Sequence, residues 1–245
     1  MGRDGIFKNS KIMSNTSKGK ATKGSKLMMQ MATSPLQKVI LDNYFDEELV
    51  WFSPVENDDF EEFQMSEDKV CVFLGIKKDE KTFAFWPRRQ PQWDGIAIGK
   101  TTGNLYLFEA KSHLNETQTD CKATSEHSKK QIKNTFFEIA KQVYNIDDNY
   151  IIENYWMNNN YQLANRLVFL QKMKEISEKA QFYNDVKLVL LNFVNDPTWG
   201  AKERVQDNHT WIEYYDEKFK NMGISRKQLI NEGVIEIEYS APFIC

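Results

Sequence analysis

The sequence predicts an α/β fold in which helices flank a mixed β-sheet. Strand-like apolar segments alternate along the chain with amphipathic helical segments, an order typical of α/β proteins. Residues 185–194 form an almost continuous apolar run, as expected of a strand that is covered on both faces. Residues 234–239 instead alternate apolar residues with glutamates, which indicates an exposed edge strand.

The first predicted element is a helix over residues 34–48. It begins at Ser34, where a capping box places Pro35 at the first helical position. Leu36 and Val39 then start an apolar stripe at helical spacing, which we expect to face the core.

The remaining elements follow from apolar periodicity and from turn and capping residues. The run 69–77 places apolar residues on both faces of an extended chain and predicts the first strand. Further strands are predicted at 93–99, 105–111, 185–194 and 234–239, and further helices at 125–144, 161–176 and 208–222.

Composition excludes several classes of protein. The 245 residues are enough for a sizeable core, and no apolar run approaches the roughly 20 residues that a membrane-spanning helix needs. The three cysteines include no C-x-x-C, and the three histidines no H-E-x-x-H, which argues against a disulfide framework or a zinc site. Since no export signal is visible, we expect a cytoplasmic protein without a membrane partner.

The charge is distributed unevenly along the chain. Residues 1–33 carry seven basic residues and one acidic residue, and they predict a flexible basic arm ahead of a single domain at 34–245. Since the whole chain has a net charge of −3 and the arm +6, the domain carries −9. A surface this acidic does not bind nucleic acid through charge alone, so any such contact must be local.

A predicted hairpin of strands 93–99 and 105–111 carries the residues suited to chemistry. A symmetrical turn pairs residues whose numbers sum to 203, which sets Asp94 opposite Glu109. Lys111 lies on the same face as Glu109, because side chains two residues apart in a strand share a face. Two carboxylates and a lysine therefore meet at the end of an apolar face.

Two close carboxylates repel each other unless a cation neutralises them. Mg²⁺ or Mn²⁺ would suit Asp94 and Glu109, with the backbone carbonyl of Ala110 as a further ligand, because Mg²⁺ prefers hard oxygen ligands, water and substrate phosphate. Lys111 would then orient the attacking water or stabilise the negative charge that develops on the phosphoryl group. The alternative is a buried salt bridge in which Lys111 pairs with Asp94 or Glu109.

These residues resemble the motif of the PD-(D/E)XK nuclease superfamily. Pro91-Gln92-Trp93-Asp94 followed by Glu109-Ala110-Lys111 is similar to its signature, although the proline stands three residues before Asp94. The resemblance implies an αβββαβ restriction-endonuclease-like core, metal binding by Asp94 and Glu109, and a Lys111 that assists the attacking water. It also implies a nucleic-acid substrate, most often DNA, with RNA left open, and such nucleases are often homodimers.

Further motifs are similar to those of uncharacterised bacterial proteins of that superfamily. They are Trp93-Asp94-Gly95, the segment 109–113, the segment 161–166 and the segment 193–196. This narrower similarity covers roughly residues 85–240 and concerns the fold more than any substrate.

Other polar residues are candidates to support this site. His113 shares the face of Lys111 if the strand continues, and would contact a phosphate or carry a proton; the alternative is a polar strand end. Gln162 and Arg166 lie four residues apart on one helix face, where they would reach metal-bound water or phosphate. Their alternative is a surface face or a hydrogen bond to the sheet.

Some superfamily members place an additional acidic ligand near the end of the first helix, where this chain has Glu47 and Glu48. A solvated acidic helix end is the favoured interpretation of this pair. Arg88 and Arg89, together with Trp86 and Trp93, would hold phosphate and stack on bases.

We therefore expect a metal-dependent nuclease, a DNA endonuclease by preference. A catalytically silent binding module with the nuclease fold is the alternative, and the acidic domain favours it. A hydrolase of a smaller phosphate ester, which needs no basic groove, is a third hypothesis.

Overall fold

A five-stranded mixed sheet forms the centre of the protein, with its strands ordered as they occur in the chain. A computed structural model describes residues 18–177 and 180–242. Strands β1 (Leu49–Ser53), β2 (Gly95–Gly99) and β3 (Leu105–Lys111) form an antiparallel meander. Strands β4 (Val186–Val194) and β5 (Val234–Ser240) continue the sheet in parallel with β3. The predicted α/β class with a mixed sheet is confirmed, as is the edge position of β5.

Helices occupy both faces of this sheet. The described part of the chain contains α1 (Gly24–Ala32), α2 (Lys38–Asp42), α3 (Asp68–Leu74), α4 (Glu126–Tyr144), α5 (Asn149–Ile151), α6 (Tyr161–Ser177), α7 (Asn208–Asn221) and α8 (Arg226–Asn231). A π-helical turn over Ile152–Trp156 continues α5. Within the described ranges, no helix combines the length and the apolar composition required to cross a membrane.

Strand β3 is buried on both faces because two apolar clusters enclose it. Leu105 and Leu107 belong to the larger cluster, which also contains the inward residues of α4 and α6. Tyr106 and Phe108 belong to the smaller cluster, which contains the apolar residues of α1. This alternation positions the odd-numbered residues of β3, Glu109 and Lys111 included, on the side of α6.

The hairpin has the predicted register. Gly95 pairs with Phe108, Ile96 with Leu107 and Ile98 with Leu105, so that each pair of numbers sums to 203. The sequence also predicted α4, α6, β4 and α7 to within two residues at either end.

The strand predicted at 69–77 is wrong, because this segment forms helix α3. Val70, Cys71 and Leu74 are buried at helical spacing, while Val72 points into solvent. Gly75 ends the helix in the left-handed conformation, with φ +67°. A short apolar run suits a buried strand and a buried helix equally well, and tertiary packing decides between them. The first strand of the sheet is β1 instead, a segment for which the sequence pattern predicts neither helix nor strand.

Two expectations for the N-terminal region are also corrected. The predicted flexible arm 1–33 contains helix α1, whose Met28 and Met29 are buried against the sheet; residues 1–17 lie outside the described part. The helix predicted at 34–48 is reduced to the five residues of α2, and Leu36 and Val39 are exposed. The apolar residues of α1, and not Leu36 and Val39, pack in the smaller cluster on the sheet.

Glu47 supports the hairpin turn and is not a solvated helix end. Its carboxylate accepts hydrogen bonds from the backbone N–H groups of Thr101 and Thr102, at 2.9 and 3.0 Å. The hydroxyls of Thr102 and Tyr106 also donate to it, at 2.7 and 2.8 Å. Burial alone would raise the pKa of Glu47, but these hydrogen bonds outweigh it and hold the pKa below its ordinary value.

We expect Glu47→Gln to lower the free energy of unfolding by about 2 kcal/mol, because hydrogen bonds to a charged group stabilise more than neutral ones. Urea denaturation at neutral pH measures this difference. The neighbouring Glu48→Gln is the control, since that side chain is half exposed and pairs with two surface lysines. Equal losses in the two variants would contradict a special role for Glu47.

Candidate active site

Asp94, Glu109 and Lys111 lie together at the end of the hairpin. Asp94 stands just before β2, and its Oδ2 accepts a hydrogen bond of 2.8 Å from the backbone N–H of Ala110. Lys111 Nζ forms an ion pair with Glu109 Oε1. The hairpin register thus brings all three predicted side chains to one place.

The ion pair of Glu109 and Lys111 is buried and remains charged. Their side chains are only 3% and 8% exposed. Burial alone would raise the pKa of Glu109, but the cations of Arg166 and Lys111 hold it below its ordinary value. Burial likewise opposes the charge of Lys111, and the carboxylates of Glu109 and Asp94 nevertheless raise the pKa of its ammonium.

The pKa of Asp94 is shifted in the opposite direction from that of Glu109. Burial and then the charge of Glu109 raise its pKa to about 7, and Lys111 offsets only part of this rise. Its Oδ1 accepts no hydrogen bond from the described residues, whereas Oδ2 is engaged by Ala110. The carboxylate is therefore short of positive charge at neutral pH, which is the condition that a divalent cation relieves.

We expect Asp94→Asn to stabilise the metal-free protein at pH 8 and to change it little at pH 4. The pKa of Asp94 rises from 3.8 to about 7 on folding, so the folded state keeps a proton that the unfolded chain releases between these values. The stability of the wild type therefore falls as pH rises through this range, and asparagine removes the effect.

Thermal denaturation in EDTA from pH 4 to 8 measures this difference, with the exposed Asp147→Asn as a control. A difference in melting temperature between the wild type and Asp94→Asn that stays constant from pH 4 to 8 would contradict this prediction.

Arg166 is a partner of Glu109 and does not face an open groove. Its side chain is 2% exposed, and its Nε donates to Glu109 Oε2. Its Nη2 donates to the backbone carbonyl of Gln92 at 2.6 Å, and the guanidinium lies 4.3 Å from the ring centre of Trp93. The alternative of a surface face is thus wrong for Arg166, because α6 is buried between the sheet and α4. The alternative of a hydrogen bond to the sheet is the one observed.

Gln162 and His113 lie in different surroundings. Gln162, one turn before Arg166, lines a pocket together with Glu109 and Lys111. His113 does not join them, because β3 ends at Lys111 and the chain turns into a short 3₁₀ helix at Leu114–Thr117. The Nδ1 of His113 accepts the backbone N–H of Asn115, and its ring packs on Trp199 with centres 4.5 Å apart. The expectation that His113 shares the face of Lys111 required the strand to continue, and this condition is not met.

The pocket beside Glu109 contains residues that the sequence analysis missed. It is small, about 10 Å³, which is room for about one water molecule, and Thr117, Tyr215 and Lys218 also line it. Tyr215 and Lys218 belong to α7, which carries no recognisable motif. The sequence does contain a signal for them: Tyr215 and Lys218 stand four and seven residues after the buried Trp211. Residues at this spacing share one face of a helix, so both side chains are expected to face the core.

Asn192 of β4 is a further polar residue that the sequence analysis missed. It pairs in register with Lys111 on the neighbouring strand and is fully buried. Both atoms of its side-chain amide lack a hydrogen-bond partner among the described residues. Such a group is costly unless a water or a ligand satisfies it, so Asn192 extends the polar region around Lys111.

The site offers oxygen donors of the kind that Mg²⁺ and Mn²⁺ prefer. Asp94 and Glu109 supply two carboxylates, and the carbonyl of Ala110 points towards Asp94, because the N–H and C=O of one strand residue face the same neighbour. In the described ranges no group of three or more His, Cys, Asp or Glu side chains could hold a metal. Mg²⁺ nevertheless binds through one or two carboxylates and completes its shell with water and substrate phosphate.

Comparison with known proteins identifies no relative: no family model, no curated protein and no solved structure matches the chain.

Proposed function

We propose that this protein is a Mg²⁺- or Mn²⁺-dependent nuclease in which Asp94, Glu109 and Lys111 form the active site. The observation that carries the proposal is the carboxylate pair of Asp94 and Glu109 beside a buried lysine, with the pKa of Asp94 raised to about 7. Buried titratable clusters with perturbed pKa values are concentrated at functional sites, and a purely structural core rarely needs one.

The proposal extends to a restriction-endonuclease-like core. The meander β1–β3, the helices α4 to α6 that follow it, and a β4 parallel to β3 agree with the βββαβ part of that arrangement. Helix α1 or α2 would be the element that precedes β1. The motif lies at the end of the β2–β3 hairpin, where the resemblance to the nuclease superfamily implies the catalytic residues.

Each side chain has a distinct role in this mechanism. Asp94, Glu109 and the carbonyl of Ala110 would hold the metal ion, which when bound polarises the phosphate and acidifies water. Lys111 keeps its positive charge beside Glu109 and would donate a hydrogen bond to the attacking water or to the phosphate oxygens. Arg166 positions Glu109 and holds the segment before Asp94 through the carbonyl of Gln92.

DNA is the proposed substrate, and the contacts to it are local. Arg88 and Arg89 are exposed on the segment that leads to Asp94, where they would contact backbone phosphates. Trp86 and Trp93 are buried and do not stack on bases; Trp93 supports Arg166 instead. The substrate strand is therefore expected to be held by its phosphates more than by its bases.

The test is a cleavage assay with labelled single-stranded DNA, double-stranded DNA and RNA, in Mg²⁺, in Mn²⁺ and in EDTA. We expect cleavage of DNA that needs the metal and is lost in Asp94→Asn, while the exposed Asp147→Asn remains active. Equal residual activity in the wild type and in Asp94→Asn would refute the proposal, since it would come from a contaminant.

One observation favours a second candidate, a binding module with the nuclease fold and no turnover. Both carboxylate oxygens of Glu109 are already engaged, one by Lys111 and the other by Arg166. A metal must compete with these cations for Glu109. Calorimetric titration with Mg²⁺ separates the two candidates, because the silent module would neither bind the ion nor cleave any of the three substrates.

A further inference from the structure

Asn192 of β4 has a buried side-chain amide that no described residue satisfies. The residue has no exposed surface, and both its Oδ1 and its Nδ2 lack a hydrogen-bond partner among the described residues. Buried amides are almost always hydrogen-bonded, and an unpaired one lowers the stability of a protein. Such a group in the core beside a candidate active site is therefore expected to be used in another state of the protein.

Asn192 lies beside Lys111 on the same face of the sheet. Strands β3 and β4 are parallel, and their register pairs Lys111 with Asn192, just as it pairs Leu107 with Leu188 in the larger apolar cluster. Neighbouring strands lie about 4.8 Å apart, which is less than the length of an extended lysine side chain. The ammonium of Lys111 can therefore reach Asn192 Oδ1 through a change of side-chain rotamer alone.

Metal binding would remove the partner that Lys111 has in this structure. The ammonium of Lys111 donates to Glu109 Oε1, and Arg166 donates to Glu109 Oε2. A cation that binds Glu109 through Oε1 therefore displaces the lysine. A buried ammonium that loses its partner is strongly unfavourable, and a buried acceptor within reach offsets that cost.

We propose that Asn192 is the alternative partner of Lys111: when a divalent cation binds Glu109, the ammonium leaves Glu109 and donates to Asn192 Oδ1. This inference rests on the proposed function, which brings the cation to Glu109. Asn192 is thus a positioning residue that acts through Lys111. An ammonium has three N–H donors, so two remain for water or phosphate. On β5, Glu238 is the in-register neighbour of Asn192, and its carboxylate can accept from Nδ2.

Glu116 is the rival acceptor near Lys111. Its charge contributes to the raised pKa of the Lys111 ammonium. Its Oε2, however, already accepts the backbone N–H of Ser112 at 2.9 Å and so supports the turn after β3. Asn192 is the better candidate because both of its amide atoms are unpaired among the described residues.

A double-mutant cycle in the binding of Mg²⁺ tests the inference. Calorimetric titration gives the affinity of the wild type, Asn192→Leu, Lys111→Met and the double variant. We expect Asn192→Leu to weaken Mg²⁺ binding about ten-fold or more, since a hydrogen bond to a charged group is lost. In the Lys111→Met background no ammonium needs a new partner, so the same change should alter the affinity less than about two-fold. Asn184→Leu, at an exposed position just before β4, is the control.

Urea denaturation in EDTA separates this role from a structural one. We expect metal-free Asn192→Leu to be at least as stable as the wild type, since leucine removes an unsatisfied buried amide. Asn192→Ala is a second variant for the case that leucine is not tolerated, with the same loss of Mg²⁺ affinity expected.

Three results would overturn the proposal. Unchanged Mg²⁺ affinity in Asn192→Leu would show that Lys111 does not use the amide. Equal weakening in the wild-type and Lys111→Met backgrounds would show that Asn192 does not act through Lys111. A loss of Mg²⁺ affinity in Glu116→Gln, but not in Asn192→Leu, would make Glu116 the alternative partner.

Failure of this inference and failure of the proposed function can be told apart. Coupling of Asn192 and Lys111 in Mg²⁺ binding, without cleavage of DNA or RNA, would support the exchange of partners and refute the nuclease. Metal-dependent cleavage with unchanged Mg²⁺ affinity in Asn192→Leu would refute the exchange alone. A wild type that binds neither Mg²⁺ nor Mn²⁺ would refute both.

Discussion

Replacing Glu109 with alanine is expected to lower the free energy of unfolding by about 3–5 kcal/mol. The glutamate is 3% exposed, and its two oxygens pair with Lys111 and Arg166, which are themselves buried. Its removal leaves two cations in the protein interior without their carboxylate. Such uncompensated charges cost more than the ion pairs themselves contribute.

Urea denaturation at neutral pH measures this loss. Glu48→Ala is the matched control, because Glu48 also pairs with a lysine, at 2.8 Å, but is half exposed. A surface pair of this kind contributes about 1 kcal/mol or less. Similar losses of unfolding free energy in Glu109→Ala and Glu48→Ala would contradict this prediction. They would show that Glu109, Lys111 and Arg166 are more solvated than their burial implies.

Replacing Lys111 with methionine is expected to reduce metal-dependent cleavage by about 100-fold to 10,000-fold, the range for a group that assists proton transfer. Methionine keeps much of the length and volume of the side chain but cannot donate to water or phosphate. Glu109 keeps its pairing with Arg166 in this variant, so the hairpin should remain folded.

The rate of cleavage of labelled DNA with saturating Mg²⁺ measures the effect, and circular dichroism verifies the fold. Lys100→Met is the control, because Lys100 lies exposed on the hairpin turn and pairs with the half-exposed Glu48. Lys111→Met that cleaves at the wild-type rate would exclude Lys111 from the reaction and leave it as a structural partner of Glu109.

The parts of the fold predicted correctly from the sequence are those that local patterns specify. The register of the hairpin follows from a short turn between two apolar strands, because a shift of one residue would reverse the face of every side chain. Helices α4 and α6 are long enough for their apolar period to be unambiguous. The meeting of Asp94, Glu109 and Lys111 follows from that register alone.

The predictions that were wrong concern short segments and the surroundings of side chains. The run 69–77 has the apolar content of a strand, but it packs as α3 beneath the sheet. Residues 1–33 as a whole are rich in Lys, Ser and Thr, which hid the short apolar run at 27–32; α1 forms there because Met28 and Met29 pack in the smaller cluster. The expectation for His113 required a strand that continues past Lys111, but β3 ends there.

By itself, the sequence determined the α/β class, the hairpin and the set of Asp94, Glu109 and Lys111, because a strand's period and a turn's symmetry act over a few residues. Only the tertiary structure decided which charges compensate one another. The pairing of Arg166 with Glu109, and the burial of Lys218 against Asn160 and Thr117, arise where helices remote in sequence pack on the sheet. Burial and proximity in space set the electrostatics of such groups, and neither is encoded in local spacing.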